Sequence, residues 1–120
     1  MYQPDTQDTF PSSVRGLEVG SIIFVRDYLQ ISLDGPGFTL ITWPRVKLGG
    51  KTLSQQTPGY RDALCQLIGK TVVDVAKIPH EQLTIVFSEN ILLEVSLKDE
   101  DRRAAEAATY HDQQKVMKSW

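Results

Sequence analysis

The side chains of this 120-residue chain that could do chemistry are few: one cysteine, Cys65, two histidines, His80 and His111, and the acidic run Asp99-Glu100-Asp101. A metal site needs ligands at short, regular spacing, and neither histidine has a partner at such a spacing. Both read as surface residues in loops. A catalytic cysteine needs a neighbouring base; Cys65 instead falls on or close to the apolar side of a helical pattern, where a small core residue is the simpler reading. A Ser/His/Asp or Cys/His pair built from distant positions stays open, because such groups converge only in the fold. No Gly-x-Ser-x-Gly elbow occurs. No catalytic residue, cofactor or metal ligand is assigned.

Two fragments imitate a phosphate-binding loop and fail on geometry. Gly50-Lys51-Thr52 has Arg45 where the leading glycine belongs, and Gly69-Lys70-Thr71 has Leu64 there and runs from helix to strand, the reverse of the required order. The remaining candidates are contact residues. Arg45, Lys47 and Lys51 form a cationic loop beside Trp43 that could meet an anionic partner, against the plainer reading of a solvated loop. Asp99, Glu100 and Asp101 could face a basic partner or a hard cation, against a solvated helix start. Trp43, Tyr60 and His80 would sit near the mouth of any pocket between the two β-rich segments. The candidate contact set is therefore Trp43, Arg45, Lys47, Tyr60, His80, Asp99, Glu100 and Asp101.

Apolar residues make up 41% and charged residues 23%, the composition of ordinary globular proteins, and the length suits one domain. The formal net charge of −2 argues against a general nucleic-acid binder. A single cysteine excludes an intramolecular disulfide. The opening residues lack the apolar run of a signal peptide, and no apolar stretch reaches roughly 18 residues, so a reducing, cytoplasmic setting without a membrane is the expectation.

The elements that would position these residues come in two similar sets. Residues 1–16 read as an extended arm from which Tyr2 or Phe10 could dock, and 17–120 as a single domain. Residues 17–43 form a first meander: an apolar SIIFV strand, an alternating Leu29, Ile31, Leu33 strand, the Asp34-Gly35-Pro36-Gly37 turn and a strand through Phe38 and Leu40 with Thr42 inward. Arg45 to Gln56 reads as a loop with room for a short hairpin at Gly49-Gly50. Thr57 to Gly69 is predicted as the central helix, with Thr57 as N-cap, Pro58 at the first position and Gly69 as terminator.

Residues 70–97 repeat the meander, with Leu83, Ile85 and Phe87 in one strand and Ile91, Leu93, Val95 and Leu97 in the next, where Glu94 and Ser96 face outward. Aligning Gly20 with Gly69 brings the halves into correspondence if a gap of about five residues separates the first two strands. Residues 98–120 begin with acids and continue with alanines, a helix pattern, before Val116, Met117 and Trp120 as a strand or packed tail. The expected class is α+β: one antiparallel sheet or partly closed barrel from two meanders, a central helix and a second helix near the C-terminus.

At GYRDALCQLIGK (Gly59 to Lys70) and LLEVSLKDED (Leu92 to Asp101) the chain resembles a group of small uncharacterised bacterial proteins with two β segments around this helix and a serine-leucine-acidic run. The resemblance spans 17–120 and implies no activity. The chain departs from it at Arg103-Ala104-Ala105-Glu106-Ala107, where the group has a glycine- and proline-containing turn. In size and acidity such proteins look like the immunity proteins of bacterial toxin systems. A non-catalytic protein-binding module is thus the leading expectation; a small-molecule binder or enzyme with a pocket between the meanders, and a homodimer joined through an edge strand, are its rivals.

Overall fold

Alternation at period two sends one face of a strand inward and the other to water, and it shapes the middle of both halves. The structure, a computed structural model, describes residues 14–112 and 117–120; the expected docking of Tyr2 or Phe10 and the placement of Val116 lie outside them. The elements in order are β1 (Val19–Val25), β2 (Tyr28–Leu33), β3 (Gly37–Leu40), β4 (Arg45–Leu48), β5 (Lys51–Leu53), α1 (Tyr60–Cys65), β6 (Val72–Ile78), β7 (Gln82–Phe87), β8 (Ile91–Ser96), β9 (Ala108–His111) and β10 (Met117–Ser119). They form two open five-stranded antiparallel sheets, β1-β2-β3-β9-β10 and β5-β4-β8-β7-β6. The fold is therefore mainly β, rather than the single sheet or barrel expected.

The two meanders agree in register as well as in order. Both β1 and β6 carry an irregularity after their first residue: Val19 pairs with Leu33 but Ser21 with Ser32, and Val72 pairs with Phe87 but Asp74 with Val86. β2 and β7 bury alternate residues in the same pattern, Leu29, Ile31 and Leu33 against Leu83, Ile85 and Phe87. Where the halves cross, at the bridge between Glu18 and Thr71, the hydrogen bonds are reciprocal. Gly16 N–H donates to the Val72 carbonyl and Gly69 N–H to the Val19 carbonyl, both at 2.8 Å; Val19 N–H donates to Lys70 and Val72 N–H to Leu17, both at 2.9 Å. The glycine that corresponds to Gly69 is thus Gly16, not Gly20, and the two have φ of 89° and 90°. Matched this way, the strands need only the one-residue difference between the turn at 26–27 and the turn at 79–81.

Each half lends its last hairpin to the other. After β3 the chain crosses through 41–44 and pairs β4 with β8; after β8 it crosses through 97–107 and pairs β9 with β3. The loop expected at 45–56 is thus largely the β4–β5 hairpin, closed by Gly49 and Gly50 at φ 58° and 79°, the positive values that a tight two-residue turn requires. The helix expected at 98–111 is absent. Asp99–Asp101 is a 3₁₀ turn, and the alanine-rich part gives way to β9, which places His111 on a strand rather than in a loop. Non-local pairing decides this: Ala107 accepts from the N–H groups of Ile41 and Thr42 and donates to Trp120, so its backbone is already spent between strands.

The central helix is shorter than predicted. Thr57 does not cap it, because its hydroxyl accepts from Ser54 N–H at 2.9 Å; Gly59, at φ 88°, is the N-cap, and no side chain bonds there. Cys65 and Ile68 are exposed, so the inward face consists of Tyr60, Ala63, Leu64 and Leu67, and the reading of Cys65 as a core residue is corrected. At 3.6 residues per turn Cys65 stands roughly 140° around the helix from Tyr60, on the side away from the buried Tyr60, Ala63 and Leu64. The buried side chains of both sheets, the helix and Val14 form one cluster, with Phe38 and Tyr110 in ring contact at 5.0 Å. Val14, Arg15 and Gly16, expected in the arm, belong to this body: Val14 is buried and Arg15 pairs with Asp74 at 2.7 Å.

Candidate functional site

A cleft opens where the two crossing links leave their strands. It measures roughly 300 Å³ and is walled by Thr42 and Trp43 of the first link, Arg45 of β4, Gln55 after β5, Glu94 and Ser96 of β8, and Asp101 and Arg103 of the second link. The register of β4 on β8 sets Arg45 opposite Glu94 and places Lys47 two residues further along the same face. Arg45 Nη2 reaches Glu94 Oε1 and Lys47 Nζ reaches Oε2, each at 3.2 Å. Glu94 keeps the outward position expected from alternation, on the face opposite the buried Leu93 and Val95, yet it is only 8% exposed. The stems of Arg45 and Lys47 cover it, and their charges offset the cost of burying a carboxylate.

The second link is pinned in place from both sides. Ser96 Oγ donates to Asp101 Oδ2 at 2.5 Å. The Arg102 guanidinium donates to three carbonyls, those of Ala105 at 2.8 Å, Trp120 at 3.2 Å and Leu97 at 3.3 Å. Its neighbour Arg103 extends the other way, 3.8 Å from Asp27 in the turn after β1. The first link carries the opposite feature: Thr42 Oγ1 and Trp43 Nε1 are buried polar atoms without a hydrogen-bond partner among the described residues, and Thr42 as a whole is only 7% exposed. Buried groups of this kind are commonly completed by an ordered water or ion, or they store strain.

Of the expected contact residues, Trp43, Arg45 and Asp101 line the cleft and Lys47 joins it through Glu94. Asp99 and Glu100 stand exposed beside Asp101, with Asp99 Oδ1 3.5 Å from Arg102 Nε. Tyr60 is corrected: it is buried, its hydroxyl donates to the Pro44 carbonyl at 2.6 Å, and burial holds its pKa far above the ordinary phenol value. It therefore supports the backbone next to Trp43 from beneath instead of standing at a pocket mouth. His80 is also displaced from that mouth, exposed in the turn between β6 and β7 at φ 62°. Its neighbours Glu81 and Gln82 line a second groove of roughly 160 Å³, which shares Arg45, Ser96 and Asp101 with the first.

Thr42, Gln55, Glu94, Ser96 and Arg103 line the cleft but were not expected from the sequence. Glu94 alone had a visible signal, a single acid within the apolar stretch Ile91–Val95. The loop mimics take other roles, with Gly49-Gly50 as a hairpin turn and Lys70 paired with Glu89 at 3.1 Å. Among the described residues, no group of three or more His, Cys, Asp and Glu side chains is arranged to hold a metal ion, and no helix is long and apolar enough to cross a membrane. Comparisons of the chain with protein-family models, curated proteins and solved structures find no match.

Proposed function

We propose that this chain is a non-catalytic protein-binding module, immunity-protein-like in acting by occluding a partner, and that its contact face is the cleft end. The supporting observation is Trp43, partly exposed in an open mixed-charge cleft with Arg45 and Arg103 on its rim. Tryptophan and arginine are the residue types that most often dominate binding energy at interfaces, and a rim of paired charges gives orientation and partner choice. The two halves also differ at this face, since the link 97–107 has only the short link 41–44 as its counterpart.

Affinity capture from the source cell tests this reading. A stoichiometric partner is expected on immobilised full chain, lost with Trp43→Ala plus Arg103→Glu and kept with Ile23→Thr on the far strand. Repeated recovery of the chain alone, or equal capture by both variants, contradicts it.

A second reading has its own observation. β1 is an edge strand, its SIIFV stretch lacks any charge, and Ile23 is 44% exposed, which favours pairing with the same strand of a second copy. Sedimentation distinguishes the two: a monomer at micromolar concentration removes the dimer.

A further inference from the structure

We infer that the open edge of β1 pairs antiparallel with the same edge of a second copy, and that reciprocal ion pairs between Glu18 of one copy and Arg26 of the other fix the orientation. This rests on the edge-strand reading and names what selects the partner. Beside residues 17–19 the edge is taken by the crossing with 69–72, where Val19 N–H donates to the Lys70 carbonyl and the Val19 carbonyl accepts from Gly69. From Gly20 to Val25, β1 is the outermost strand of its sheet. The other outer strands of the two sheets are guarded by charge and by length. β6 carries Asp74, held by Arg15, and Lys77, while β5 and β10 have three residues each and a lysine in both. Charged side chains and short strands are how proteins close a sheet edge, and β1 has neither.

The charges that β1 lacks stand at its two ends. Glu18 precedes the open edge and Arg26 follows it; both are exposed, and neither has an ion-pair partner among the described residues. Antiparallel pairing brings the start of one strand to the end of the other, so Glu18 meets Arg26 of the second copy at both ends, about a two-fold axis near Ile22. Parallel pairing would set like charges together. A foreign strand would have to supply both charges in the reverse order, whereas a copy of this chain already has them. Backbone pairing is confined to Gly20–Val25, and the long side chains of Glu18 and Arg26 meet beyond its ends. The added strand also covers Ile22 and Phe24, which pack against the core but stay partly exposed at the edge.

Sedimentation equilibrium of the full chain, of Glu18→Arg, of Arg26→Glu and of the two variants mixed in equal amounts is the test. The unaltered chain is expected to be a dimer at micromolar concentration, and to weaken as sodium chloride is raised from about 0.05 M to about 0.5 M. Each variant alone, with its melting transition retained, opposes like charges at both ends and should raise the dissociation constant about tenfold or more. The mixture should recover the affinity of the unaltered chain, because each charge then meets its opposite on the other variant. A monomer in the unaltered chain overturns the edge-strand reading and this inference together. A dimer indifferent to salt, one unchanged in both variants, or one not recovered by mixing keeps the dimer and overturns the ion-paired antiparallel arrangement.

Discussion

Thr42 is a buried polar residue of the first link. A buried hydroxyl with no partner among the described residues costs folding free energy, so Thr42→Val should raise stability by about 1 kcal/mol in urea melts; a loss of that size would mean that the hydroxyl is satisfied in solution. Tyr60 beneath it acts by its proton. Burial raises its pKa above the unfolded value, so the native state keeps the protonated phenol. Stability is therefore unaffected by this group below pH about 10 and declines above it, because the unfolded chain releases the proton first, with a slope of up to about 1.4 kcal/mol per pH unit. Tyr60→Phe loses the bond to Pro44, about 1 kcal/mol at neutral pH, but its alkaline decline should be shallower. Urea melts between pH 8 and pH 12 provide the check, and equal slopes in both proteins would contradict the burial argument.

Among the elements, the crossing of the halves is held by backbone geometry that only glycine adopts without strain. Gly16→Ala and Gly69→Ala should each cost about 1–2 kcal/mol and resemble one another, since both sit at φ near 90° in equivalent hydrogen bonds. Gly20→Ala should cost under about 0.5 kcal/mol, for a Cβ there meets only the Ser32 carbonyl at 3.7 Å. Thermal melts of the three variants separate the correct glycine pair from the one that sequence alignment suggests. The strands of both meanders were legible because period-two alternation is a local signal: Leu29, Ile31, Leu33, Leu83, Ile85 and Phe87 all bury as it implies. The ends of the helix and the alanine-rich segment were not. Thr57 turns its hydroxyl to Ser54, and Ala107, at the end of the second link, and Ala108 of β9 are small, buried residues whose backbone partners are distant in sequence, so no local spacing announces them. The cleft was hidden for the same reason, with Thr42, Glu94 and Arg103 meeting only because the links cross.

For the whole molecule, the exchange of hairpins makes the two sheets interdependent. β4 and β5 complete the sheet of the second meander, and β9 and β10 complete that of the first, so neither half holds a finished sheet. A chain divided between Gln55 and Gln56, both exposed, should give fragments that stay largely unfolded alone and regain strand signal in circular dichroism on mixing; independent folding of either fragment would contradict the exchange. On this symmetric frame the unequal links build the cleft at the end proposed as the contact face. The most direct test of that claim is to titrate the ¹⁵N-labelled full chain with the partner recovered by capture and map the shifted amides. Shifts concentrated at Thr42 to Arg45, Glu94 and Asp101 to Arg103 are expected; shifts concentrated on β1 and β6 with the cleft silent would contradict it.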